Sequence, residues 1–204
     1  MRPFVTIRLF ALLALAVTLG AARAQAPFPA PPAPTLIGPY LGATLGYSQA
    51  KKGCIGVLSG GGRACDENDP SFGIFAGYQV NRYLAAEIAF RDLGKVRATG
   101  STSTDDMHTQ VFDITALGIV PIEDRFSAYA RIGAYSAKQS TSVRGIDDQK
   151  SSQLTYGGGL WWDFAGGWGL RAEWQRYRKI GKEGSPYEVN YYDVLGVAGL
   201  WRFK

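Results

Sequence analysis

Eight stretches of the chain alternate apolar residues with small or polar ones: 39–50, 71–80, 82–95, 107–121, 124–138, 152–165, 167–179 and 188–203. A repeat of two residues is the signature of a β-strand with one apolar face, and long helix-period stripes are missing, so the pattern predicts an all-β chain. The connections alternate in length. Those around Asn81, at 122–124 and at Gly166 are short, whereas 51–70, 96–106, 139–151 and 180–187 are long, polar and rich in Gly, Ser, Thr and Asp. Antiparallel strands in a meander, with tight turns at one end and loops at the other, account for that asymmetry.

Following the apolar positions from strand to strand shows which face meets what. The apolar rows sort their residues by height, with small aliphatics in the middle and aromatics at both ends. Tyr78, Phe126, Phe164, Trp168, Trp201 and Phe203 lie near the short turns, and Tyr47 and Trp174 lie toward the long loops, with Phe72, Phe90, Phe112 and Tyr156. A soluble core has no reason to sort rings this way, whereas a lipid-facing wall places amphipathic rings at both interfaces. The opposite face carries Glu87, Arg91, Asp113, Arg131, Asp163, Arg171 and Glu173. Charges are tolerable there only if they are paired or hydrated inside a lumen. An open sheet edge in hydrocarbon would leave backbone groups unpaired, so the expected fold is an eight-stranded antiparallel up-and-down transmembrane β-barrel over residues 39–204. Eight strands enclose an interior that side chains fill, so no wide pore is expected.

The amino terminus sets the compartment. Residues 1–8 carry two arginines and no acid, "LFALLALAVTLG" is an apolar run too short to span a bilayer, and Ala22-Arg23-Ala24 is a small-x-small cleavage site. Residues 1–24 therefore read as a secretory signal peptide, with Ala26 as a second acceptable cleavage position. The Pro-rich segment 25–38 reads as an extended tether. Loss of Arg2, Arg8 and Arg23 lowers the basic residues from 22 to 19 against 17 acidic ones, and the remainder are scattered, so nucleic acid is not an expected partner. Cys54 and Cys65 in an exported chain predict a disulfide, while a single His leaves too few ligands for zinc. No cofactor or metal is expected.

With the strands and faces assigned, a resemblance emerges. "PYLGATLGYSQAKKG", "GYQVNRYLAAEIAFRDLGK", "VPIEDRFSAYARIGAY", "LRAEWQ" and "GVAGLWRF" resemble strands and turns of the transmembrane domain of the OmpA-like outer-membrane proteins, over residues 39–203. The resemblance implies a barrel in the outer membrane of a Gram-negative bacterium, inserted by the outer-membrane assembly machinery among outer-membrane lipids and lipopolysaccharide. It matches Glu87 and Arg171 to a lumenal ion pair and Arg131 to another inward Arg; Asp113, Asp163 and Glu173 complete the expected lumenal network. Leu117 and Trp161 stand where the family carries its other gating charges, which implies that this switch is absent. Lys204 stands one residue after the aromatic on which stand-alone barrels usually end, and the family's periplasmic domain is not expected here.

The expected role is structural or surface-interacting, with four extracellular loops that present a possible ligand site and a lumen that is largely filled. The alternative is a low-conductance channel, in which Gly42, Gly46, Gly73, Gly77, Gly157 and Gly159 leave space inside the barrel. A lipid-modifying enzyme is disfavoured because His108, the only His, has nothing fixing a nucleophile beside it. A soluble lipocalin-like barrel would reverse the two faces.

Overall fold

The computed structural model describes residues 37–51, 64–99, 104–141, 149–180 and 189–203. Its strands are β1 (Gly38–Lys51), β2 (Ala64–Asp66), β3 (Asn68–Asn81), β4 (Leu84–Thr99), β5 (Thr104–Glu123), β6 (Phe126–Thr141), β7 (Gln149–Asp163), β8 (Trp168–Ile180) and β9 (Val189–Arg202). Each long strand pairs antiparallel with its neighbours in the order β4-β3-β1-β9-β8-β7-β6-β5, and β5 returns to β4, so eight strands close on themselves. The seam between the first and last strands runs from Tyr40↔Arg202 to Lys51↔Tyr191. Closure removes the edges that hydrocarbon would not tolerate. The three-residue β2, just before β3 in the chain, pairs with the upper end of β4, above the stretch of β4 that pairs with β3.

The short turns follow from local chemistry. Asn81 accepts the Tyr83 amide at 2.8 Å across the β3–β4 turn, and the short 3₁₀ turn Ala165–Gly167 between β7 and β8 places Gly166 at φ 83°, where a Cβ is disfavoured.

The apolar rows face outward. Leu45, Ile74, Ile88, Ile114, Ile132, Leu160, Leu170 and Val197 are all exposed, and so are Tyr47, Tyr78, Trp168, Trp174, Trp201 and Phe203. Phe126 and Phe164 are half-buried; Phe164 packs edge-on against Trp162 at 4.5 Å, as Trp168 does against Trp201 at 4.8 Å. Along β9, the ten residue steps from Trp201 to Tyr191, at about 3.4 Å per step and a tilt of about 40°, span roughly 26 Å, the height of an outer-membrane apolar band.

At the loop end the strands run further than the hydrophobic alternation indicates. β4 extends to Thr99 and β5 begins at Thr104, while the stretch 51–70 contains β2 and the start of β3. Backbone pairing in a hairpin continues past the membrane with polar residues that leave no apolar signal. In β4 a bulge between Asp92 and Lys95 also reverses the faces. Gly94 takes φ 76°, its amide donates to Asp92 Oδ1 at 2.9 Å, and the Lys95 amide donates to Asp69 Oδ2 at 2.8 Å. Beyond the bulge Val96 points inward, and Lys95 and Arg97 point outward.

Residues 1–36, and Cys54 with them, lie outside the described residues, as do the expected signal peptide and most of the Pro-rich segment. Cys65 lies in β2, its backbone opposite Ala98.

Candidate functional site

The chemistry-bearing residues converge on the lumen. Every second residue of β4, β5, β6 and β8 points there, and closure brings β8 across from the other three. Arg171 Nη1 donates to Glu87 Oε1 at 2.5 Å, and Tyr40 Oη donates to the same oxygen at 2.7 Å. Arg131 Nη2 sits 3.2 Å from Glu87 Oε2 and 3.2 Å from Glu173 Oε2. Arg91 Nη1 donates to Glu173 Oε1 at 2.8 Å, and its Nε lies 3.7 Å from Asp113 Oδ2. The result is a continuous ladder, Arg171–Glu87–Arg131–Glu173–Arg91–Asp113, in which three cations balance three anions. All six are buried.

Neutral partners complete much of it. Thr44 donates to Glu173 at 3.1 Å, Tyr177 to Asp113 at 2.6 Å, and Gln175 accepts from Arg131 at 2.9 Å while donating to Thr155 at 2.9 Å. Buried ions of this kind survive because each meets opposite charge and further hydrogen bonds, which offset the desolvation of both. Nε and Nη2 of Arg91 and Arg171, Nε of Arg131 and Oγ1 of Thr115 have no hydrogen-bond partner in the protein, so the middle of the lumen is polar enough to hold ordered water.

Apolar layers close both ends of this polar middle. Toward the short turns, Tyr40, Phe75, Leu117, Ile119, Tyr129, Trp161 and Leu200 form one cluster; toward the loops, Leu93, Val96, Met107, Val111, Tyr135, Tyr177, Ile180, Tyr192 and Val194 belong to a second. The Arg171 guanidinium lies 4.2 Å from the Phe75 ring centre and 5.0 Å from that of Trp161, so its uncharged faces are covered by rings.

One expectation is corrected here. The inward glycines do not leave space. Gly42 faces Phe75 across β1 and β3, Tyr40 faces Gly77 in the same pair, and a Cβ at either glycine would run into that ring. The glycines let bulky side chains lie flat against the wall. Asp163 forms a separate lumenal pair near the short turns: it accepts from Arg202 Nε at 3.2 Å and Trp161 Nε1 at 3.1 Å, and Arg202 also donates to Gln79 at 2.6 Å. Arg91, by contrast, is a full member that the expected network lacked. Its inward position was readable from parity, but its partners on β8 and β5 depend on which strands face one another after closure.

His108 is half-exposed at the loop end, its Nε2 within 2.8 Å of both Asp92 oxygens.

A model of the OmpA-like transmembrane domain matches residues 38–200. The chain belongs to that family. Among curated relatives, outer membrane protein A of Klebsiella aerogenes is 28% identical over 167 residues, 80% of this chain and 48% of the relative. Outer membrane protein A of Escherichia coli O157:H7 is 30% identical over 144 residues, 70% of this chain and 41% of the relative. The chain thus spans about half the length of the curated relatives it matches. Two solved structures share the fold: Neisserial surface protein A (TM-score 0.56, 16% identity, 81% of this chain and 97% of that one) and OprG from Pseudomonas aeruginosa (TM-score 0.52, 12% identity, 82% and 97%). As an OmpA-like barrel the chain resides in the bacterial outer membrane, in contact with its lipids. The apolar rows are therefore its lipid-facing wall, and the charge ladder is the interior of an OmpA-like barrel.

Proposed function

We propose that this OmpA-like barrel acts as a closed structural and surface-presenting element of the outer membrane, holding four loops outside the cell rather than conducting solutes or catalysing a reaction. The observation that carries the reading is the arrangement of the lumen: a charge-balanced ladder lies between two apolar layers, and Trp161 and Leu117 belong to the layer beneath it. An ion crossing this interior would have to displace an Arg–carboxylate pair and shed its own water among buried rings. Glu87, Arg91, Asp113, Arg131, Arg171 and Glu173 are, in this reading, braces of the barrel and not a conduction path.

Reconstitution of the purified chain in planar bilayers tests it. The expected record is a quiet baseline across the usual voltage range, and steady, resolved openings would overturn the proposal. One observation favours the alternative channel, namely the guanidinium nitrogens that lack a hydrogen-bond partner in the protein and suit a hydrated middle. The same recording decides between the two.

A further inference from the structure

We propose that the upper end of the β8–β9 hairpin, residues 178–180 of β8 with 189–191 of β9, is a hinged flap that folds over the loop side of the lumen and is latched there by the Tyr135 hydroxyl. Both strands part from their outer neighbours at this height. β7 pairs with β8 only from Asp163↔Gly169 up to Thr155↔Tyr177, although β7 runs on to Gln149 against β6. β9 pairs with β1 up to Tyr191↔Lys51. Beyond these points, among the described residues, β8 and β9 pair only with each other, at Arg178↔Tyr191 and Ile180↔Val189. A two-stranded ribbon is marginal on its own, so its contacts with the rest of the barrel decide where it lies.

Two features set its position. At Lys179 the backbone takes φ 51°, a left-handed conformation that residues with a Cβ rarely adopt. Alternation would send Lys179 inward after Tyr177; instead Arg178 and Lys179 are both exposed, and Ile180 is fully buried in the loop-side apolar layer. The bend at Lys179 thus places an apolar side chain inside and an ammonium outside. The second feature is Tyr135 on β6. Its hydroxyl donates to the Arg178 carbonyl and reaches the Lys179 carbonyl at 3.1 Å, and Ser151 on β7 is a further hydrogen-bond partner of the same group. Tyr135 therefore spans the place where β7 and β8 have parted. Gln153 marks the gap: it is the register partner of Tyr135 and has the inward parity of Thr155, yet it is exposed. One phenol replaces the β7–β8 ladder here. Opening at this gap would withdraw Ile180 from the apolar layer and leave the charge ladder below it in place.

The test is amide hydrogen exchange, read by NMR on the full chain folded in zwitterionic micelles. Amides of residues 178–180 and 189–191 should exchange about tenfold or more faster than those of 170–175, because the flap opens without the barrel. Y135F keeps the ring, which packs edge-on against Tyr177 at 5.3 Å, and removes only the latch. It should speed exchange in the flap about fivefold, the loss of one hydrogen bond, and leave 170–175 unchanged. K179G relieves the left-handed backbone of the closed flap and should slow exchange there about threefold. Flap amides as well protected as those of 170–175, no response to Y135F, or a Y135F effect spread evenly over β8 would each overturn the proposal, as would faster exchange in K179G. The heat-dependent gel shift verifies that each variant keeps its barrel. The flap lies above the charge ladder, so channel openings in a bilayer would sink the closed-barrel reading and leave these exchange rates untouched.

Discussion

Arg171 and Glu87 meet at 2.5 Å in the middle of the barrel although 84 residues separate them in the chain. Neither strand that carries them neighbours the other, so the pair crosses the lumen. E87A leaves Arg171 buried against Phe75 and Trp161 and removes a carboxylate from Arg131; the expected cost is about 3–5 kcal/mol in the denaturant unfolding of the lipid-embedded barrel. E87A/R171A should cost less than the sum of the two single variants. Additive effects would show that the two side chains do not act as a pair.

The glycines divide into two groups with opposite expected responses. G42A and G77A push a methyl group into the Phe75 and Tyr40 rings and should destabilise the barrel by about 1–3 kcal/mol. Gly118 and Gly199 face outward with nothing within 4 Å of an added Cβ, so G118A and G199A should be neutral or slightly stabilising. Unfolding midpoints for the four variants provide the comparison.

Leu160 lies on the lipid face of β7, midway between Tyr156 and Phe164. L160R places a charge near the bilayer midplane and should cost about 2–4 kcal/mol, read from the same unfolding curves. In a soluble barrel with its faces reversed, the same change would disrupt the core and prevent folding without detergent. The unsubstituted chain, extracted from membranes in detergent, should run at different mobilities in SDS before and after boiling.

A bridge between Cys54 and Cys65, expected from the sequence, makes a separate prediction. Protein taken from the cell envelope without reductant should react with no thiol reagent until reduced, as read by intact mass. Reduction should lower stability by roughly 3 kcal/mol in the chain-entropy account of a loop this size. Alkylation of both thiols before reduction would exclude the bridge.

The lipid-facing wall was legible in the sequence because a two-residue repeat ties each side chain to one face, and because Trp168, Trp201 and Phe203 sit at the ends of their rows. Residues 96–99 and 104–106 were not legible as strand, since polar residues paired above the membrane carry no apolar alternation. The Asp92–Lys95 bulge hid the inward turn of Val96 for a related reason: one irregular step reverses parity, and only the φ of Gly94 and the partners of Asp69 and Asp92 reveal it. The side on which each charge lies was readable at Glu87, Arg131 and Arg171. Which charge each one meets was not, because the partners of Arg91 and the separation of Asp163 depend on the stagger at which the sheet closes.

A thin-walled tube resists stretching along its wall far better than flattening across its width, and backbone pairing stiffens only the wall. In this barrel Arg171, Glu173, Gln175 and Tyr177, all from β8, reach Glu87 and Arg91 on β4, Asp113 on β5 and Arg131 on β6. They act as spokes. Flattening the barrel would have to break these contacts, so sideways pressure from a crowded membrane is opposed from within as well as by the wall.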